Sequence, residues 1–242
     1  MRCFSRFALA ASLLSLPGCL EIEQTVTLAA DGSGRLEFAM AMREVTIAEV
    51  RQAGAAAQLG GAFDPTAVFD KEKTERELVA AGFVPVSHVA EQNGSRRNVK
   101  LCATFADFAT LQRNPVNGTQ AEWELAKGPK AGTAKLTFYP QGRAAWIAAR
   151  DKAEQLRDEV DPIVAEFFRK RQQQLAGLDL ALRIAVPGEV YMWTKNMSKT
   201  GEREVTAHVR AADIRTPEDL VRRLAPRFEL IFDARGLDLA LE

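Results

Sequence analysis

The chain has 242 residues, with 32 Lys and Arg against 32 Asp and Glu, 47% hydrophobic residues and only 7% aromatics. This length and apolar content suit one domain with a real core, and exclude a disordered chain. A net charge of zero with no long basic run argues against nucleic-acid binding, and three cysteines are too few for a disulfide scaffold.

Residues 1–18 have the architecture of an export signal. Arg2 and Arg6 give a positive start, and Phe7 to Leu16 form an apolar stretch broken only by Ser12 and Ser15. That stretch is too short to span a bilayer as a permanent helix but suits a signal segment. It closes on Leu16-Pro17-Gly18-Cys19, which resembles the lipobox of bacterial lipoproteins. The resemblance implies removal of residues 1–18 as a signal peptide and lipidation of the Cys19 thiol, with palmitate-type acyl chains. Each buried methylene is worth about 0.8 kcal/mol, so two or three chains anchor a protein without a transmembrane helix. Processing takes two Arg and no acidic residue from the balance of zero, leaving −2, and leaves Cys102 as the one free thiol.

From Leu20 the pattern is of strands. Leu20, Ile22, Val26 and Leu28 alternate with polar or small residues, as do Leu36, Phe38, Met40 and Met42, around Asp31-Gly32-Ser33-Gly34. Both apolar sets fall on even numbers. The hairpin loop must therefore have odd length, with Gly32 or Gly34 in the left-handed region. Helices are expected over 43–59 and 66–81, the second starting at Asp64-Pro65 and stopped by Gly82. Asn93-Gly94 then predicts a two-residue turn that sets Val86 against Leu101, Val84 against Ala103 and His88 against Val99 on the buried face. Cys102 falls on the other face, where only a covering helix would bury it deeply.

Phe105 to Arg113 reads as a short helix. Strands near 119–126 and 131–139 form a hairpin around Gly128-Pro129-Lys130. A long amphipathic helix is expected over about 142–175, with Ala149, Ala153, Leu156, Val160, Ile163, Val164 and Phe167 as one stripe. The stripe keeps its phase through Pro162, which favours one kinked helix. Leu178 to Val186 alternate as a strand. Val190 to Lys195 and Glu202 to Arg210 read as a hairpin around Asn196 to Gly201. Thr216-Pro217-Glu218-Asp219 starts a helix that stops before Pro226, and Phe228, Leu230 and Phe232 mark a last strand. Hairpins with helices between them indicate an α+β protein, largely antiparallel, in one unit over residues 19–242.

The motifs of chemistry are sparse. His88 falls on an apolar face, as a structural histidine does, and His208 falls on the solvent face of its strand. No metal-ligand spacing, nucleophile elbow or phosphate loop occurs, so no catalytic residue, metal or cofactor is expected. Lys100, on the same strand face as Cys102, would lower that thiol's pKa slightly. Tyr191, Met192 and Trp193 cluster after Pro187-Gly188-Glu189, where they would line the mouth of a pocket for an apolar ligand, if they are not ordinary core.

Three features resemble the LppM-type domain of bacterial lipoproteins. They are the lipobox cysteine leading into the Asp-Gly-Ser-Gly hairpin, Gly82-Phe83-Val84 opening a hairpin that runs into Phe105 and Phe108, and Leu182-Arg183-Ile184-Ala185-Val186-Pro187-Gly188-Glu189-Val190. The resemblance implies a β-rich envelope domain that binds lipid and brings no catalytic residues with it. The expectation is thus a non-enzymatic envelope lipoprotein, attached to the membrane through its N-terminal lipid, with a domain that binds a lipid-like ligand. The alternatives are an assembly partner of an envelope protein, or an envelope enzyme using scattered carboxylates. Leu20 stands where aspartate would signal inner-membrane retention, which points to the outer membrane in a cell that has one.

Overall fold

The computed structural model describes residues 20–48, 66–156 and 162–241. Cys19 and the signal segment lie outside the described residues, as does most of the helix expected over 43–59, of which 44–48 is helical. Strands β1 (Glu21–Leu28) and β2 (Gly34–Arg43) pair antiparallel, with Val26 opposite Leu36. Their loop, residues 29–33, has odd length and Gly32 sits at φ +81, so the even-numbered residues of both strands share one face. The Asp31 carboxylate accepts from the Ser33 amide and hydroxyl, which ties the turn.

The second hairpin, β3 (Val84–Asn93) with β4 (Arg96–Phe105), corrects the expected register. His88 faces Leu101 rather than Val99, because Asn93 pairs with Arg96 and the turn is Gly94-Ser95, with Gly94 at φ +60. This moves the pairing by two residues and keeps His88 on the buried face. A bulge between Pro85 and Ser87 then flips the remainder, so that Val84 lies opposite Thr104 and both Val84 and Val86 are exposed. One extra residue is enough to reverse the face, since side chains alternate with period two.

Helix α1 (Lys71–Ala80) is capped by Asp70, whose side chain accepts from the Lys73 amide. It is preceded by a 3-10 turn at Ala67–Phe69 and so starts later than expected. A short helix α2 (Phe108–Gln112) leads to the hairpin of β5 (Glu122–Lys127) and β6 (Thr133–Tyr139). Two helical segments follow, α3 (Arg143–Leu156) and α4 (Pro162–Gln174), where one long helix was expected; their join lies outside the described residues. Ala149 and Ala153 are buried as the stripe requires, but Phe167 is exposed and Phe168 is buried instead. A step of one residue turns the buried face by about 100°. Phe168 packs with Leu175, Ile214 and Leu220 in a small second core.

Strand β7 (Asp179–Ala185) is as expected, but the next expected hairpin does not form. Met197–Gly201 is itself a strand, β9, and pairs with β10 (Glu204–Arg210). Strand β8 (Val190–Trp193) instead joins β11 (Phe228–Asp233), with Trp193 opposite Leu230. The crossing happens at Val190, whose amide donates to the Glu202 carbonyl while its side chain lies opposite Phe232. Helix α5 (Pro217–Leu224) begins with a complete capping box between Thr216 and Asp219.

The result is a mixed α+β fold with two sheets. One has seven strands in the order β3-β4-β2-β1-β7-β10-β9, and the other four in the order β5-β6-β11-β8. Among the described residues, only the pairing of β1 with β7 is parallel. Leu36, Val26, Ile184, Leu136, Leu230 and Phe232 belong to one continuous core shared by both sheets. The outer face of the seven-stranded sheet is polar, with ion pairs such as Arg35–Glu37 and Arg183–Glu204. No described helix is long and apolar enough to cross a membrane.

Gly188 permits the crossing of β8: a Cβ there would lie 1.8 Å from the Asp233 carbonyl oxygen, whereas one at Gly94 would meet nothing within 4 Å. Gly188→Ala is expected to cost ~3 kcal/mol or more, and Gly94→Ala only the left-handed strain of about 1–2 kcal/mol. Urea unfolding of the two variants side by side checks the order.

Candidate functional site

Tyr191, Met192 and Trp193 lie on β8, an edge strand of the smaller sheet. All three side chains are exposed, at 43%, 60% and 40%. The strand is bulged at Tyr191, so Met192 lies beside Ile231 on the outer face and Trp193 opposite Leu230. The three form an exposed apolar edge and are not ordinary core. Its far end is fixed by the Thr194 amide donating to the Glu229 carbonyl and by Asn196 donating to the Arg227 carbonyl.

Tyr191 carries the polar end of this edge. Its hydroxyl donates to Asp233 Oδ2 at 2.9 Å, and Arg235 Nε donates to Asp233 Oδ1 at 3.0 Å. The Arg235 hydrogen bonds hold the Asp233 carboxyl far below the usual carboxylate range, with the Tyr191 hydroxyl adding to the effect. In turn, donating to a carboxylate raises the Tyr191 pKa. The phenol is therefore fixed as a neutral donor at the strand end.

The larger carboxylate group lies on the outer face of the smaller sheet. Glu124, Thr137 and Glu229 occupy one transverse row. Arg143 pairs with Glu124, Arg227 with Glu229 at 3.8 Å, and Thr137 Oγ1 donates weakly to Glu229 at 3.4 Å. Trp146 lies beside Tyr139, with the Arg227 guanidinium 4.7 Å from its ring centroid. Arginines thus already engage both glutamates. Among the described residues no His, Cys, Asp and Glu are grouped to hold a metal ion.

His88 is buried, and its Nε2 donates to the Val68 carbonyl at 2.8 Å, the arrangement of a structural histidine. His208 is exposed, as its place in the alternation requires. Cys102 is on the outer face but buried all the same, opposite Glu37 and Ser87 of the flanking strands. Burial pushes its thiol pKa up; the nearby cation that opposes this is Arg35 rather than Lys100.

One residue was missed. Gln24 occupies an inward position of β1 between Ile22 and Val26, is only 7% exposed, and its Nε2 has no hydrogen-bond partner. The signal was present in the alternation itself, as the one polar residue in an otherwise apolar even-numbered set. Buried amides are normally satisfied, and the Asn114 and Asn117 side-chain nitrogens are exceptions of the same kind.

No family model matches the chain, and no curated protein does. Among solved structures, the chain is similar to the NMR structure of the folded domain of LppM from Mycobacterium tuberculosis. The identity is 12% and the TM-score 0.41, over 90% of this chain and 91% of that chain.

Two solution measurements check the geometry. Below the ordinary tyrosine value of about 10 the Tyr191 bond contributes to stability, and this is lost as pH rises through the raised folded value. In an ultraviolet tyrosinate titration one of the two tyrosines should therefore ionise late in the wild type, and Asp233→Asn should bring it back. Cys102 should react with a soluble disulfide reagent at least ~10-fold faster in urea than in the folded protein. Equal rates would contradict its burial.

Proposed function

We propose that this chain is a lipoprotein of a bacterial cell envelope, held to its membrane by acyl chains on Cys19, with a domain that binds a lipid-like ligand without transforming it. The observation that carries the anchor is the join between signal and fold. The apolar segment ends at Leu16-Pro17-Gly18-Cys19, and β1 begins at Glu21 with Leu20 packed against the core. An extended residue spans at most about 3.6 Å. A lipidated Cys19 would thus hold the Glu21 end of the seven-stranded sheet within ~10 Å of the headgroups. Leu20 in place of aspartate favours the outer membrane where there is one.

The ligand reading is supported by apolar surface that the fold leaves open on β8, at Tyr191, Met192 and Trp193. Exposed aromatic and Met groups of this kind accompany contacts with apolar partners. A second reading, an assembly partner of an envelope protein, is favoured by one feature: Tyr191, Met192 and Trp193 all project from an edge strand, where strand addition takes place.

Feeding cells an alkyne fatty acid should label the wild-type chain and leave Cys19→Ser unlabelled. An unlabelled wild type, or a labelled Cys19→Ser, would sink the anchor. Native mass spectrometry of the membrane-extracted chain should carry a bound apolar species. Repeated recovery of bare chain, together with one stoichiometric protein crosslinked through a photoreactive group at Met192, would favour the assembly reading.

A further inference from the structure

The helices between β6 and β11 gather at one end of the sheets. Strand β6 ends at Tyr139 and leads into α3, and α4 runs into the start of β7 at Asp179. Helix α5 stands between the end of β10, at Arg210, and the start of β11, at Phe228. These strand ends are level with one another: Asp179 pairs with both Glu21 and Arg210, and Phe228 pairs with Phe138. Helix α5 packs on α3 and, through Leu220, on Phe168 of α4. The Asp179 amide donates to the Leu20 carbonyl at 3.0 Å. The three helices therefore cap the end of the fold at which the chain enters from Cys19.

Charge is distributed toward the same end. The three helices carry eight Arg and Lys against five Asp and Glu, a net of +3, whereas the chain beyond Gly18 has a balance of −2. The densest run is Arg169-Lys170-Arg171 on α4, with Arg169 and Lys170 exposed. Lys170 meets Glu166 at 3.1 Å, but both side chains are more than 60% exposed, so the pair is cheap to exchange. Beside this run Phe167 is 55% exposed, with the Arg171 guanidinium 5.1 Å from its ring centroid. Phe168 already fills the core position, so packing within the chain gives Phe167 no task. An exposed ring flanked by long cationic side chains suits the headgroup layer of an anionic membrane, where the ring reaches the acyl boundary and the cations stay with phosphate. Its distance from the anchor is bounded. Counting ~1.5 Å per helical residue and at most ~3.6 Å per extended one, Arg171 lies within ~25 Å of Leu20.

We propose that α4 docks on an anionic phospholipid surface, with Phe167 in the headgroup layer and Arg169, Lys170 and Arg171 on lipid phosphates. The inference rests on the anchor reading above and adds an orientation to it. Acyl chains on Cys19 alone leave the domain free to turn about Leu20. A second contact at α4 fixes it with the helical end toward the membrane and the Asp31 turn away from it.

The test uses the acylated chain in nanodiscs of phosphatidylcholine, alone or mixed with phosphatidylglycerol, both carrying nitroxide lipids. A bimane probe is placed at Phe167→Cys, where it keeps an apolar ring, or at Val84→Cys. Val84 is 63% exposed and lies at the opposite end of the sheet, in the row of Thr104, Arg35 and Thr27. Quenching at position 167 should be at least ~5-fold stronger with phosphatidylglycerol, the preference of about one cation for an anionic surface, and absent at position 84. Replacing Arg169, Lys170 and Arg171 together by Gln should remove the excess. So should about 1 M salt, which screens beyond ~3 Å and needs no substitution in α4 beyond the probe. A chain retained by the discs but unquenched at position 167 would overturn the docking and leave the anchor standing. Equal quenching in both lipids, or at both positions, would overturn the anionic face. Crosslinking of two copies through position 167 would assign the face to a second chain instead. A chain that washes off both kinds of disc would overturn anchor and docking together.

Discussion

The pairing of β1 on both its edges is the constraint on which the rest of the structure depends. On one side β1 meets β2 through a five-residue loop; on the other it meets β7, parallel and in register from Glu21 with Asp179 to Thr27 with Ala185. A parallel pair cannot be closed by a tight turn. Here the connection contains the second hairpin, the β5–β6 hairpin and the helices α3 and α4. Without β1 the larger sheet would be two separate three-stranded pieces, β3-β4-β2 and β7-β10-β9. The two ends of the chain therefore fold around a strand that starts one residue after Leu20.

Apolar contact, not charge, holds this centre. Val26, Leu36 and Ile184 are fully buried in one transverse row, and losing a side chain of that kind typically costs ~2–5 kcal/mol. The ion pairs of the outer face, such as Arg210–Asp179 at 3.7 Å, are half-exposed and each worth about 0–1 kcal/mol. The same geometry makes Gln24 conspicuous, because an unpaired amide in that core works against the fold.

The smaller sheet depends on a different device, the departure of β8 from its chain neighbours. Val190 is hydrogen-bonded to the β9–β10 turn through its amide and to the other sheet through its strand, with Gly188 admitting the Asp233 carbonyl. That crossing joins the two sheets and also leaves β8 as an edge, which is why Tyr191, Met192 and Trp193 are exposed together.

Much of this was legible in the residue pattern. Alternation determined that β1, β2, β7, β10 and β11 are strands and which of their faces are inward. The parity of Val26 and Leu36 determined an odd loop. Thr216-Pro217-Glu218-Asp219 determined a helix start, since caps and turns are local interactions. The lipobox-like ending at Cys19 is likewise a local signal. What the tertiary structure decided is non-local. The bulge at Val86, which exposes Val84, follows from matching β3 to β4 along its whole length. The partner of β8 is chosen by packing with Phe232 and Leu230, distant in sequence. Phe168 rather than Phe167 is buried because Ile214 and Leu220 lie on that side. Gln24 was visible as a break in an apolar alternation, but only the paired sheet showed it enclosed by Phe38 and Leu182 with nothing to bond.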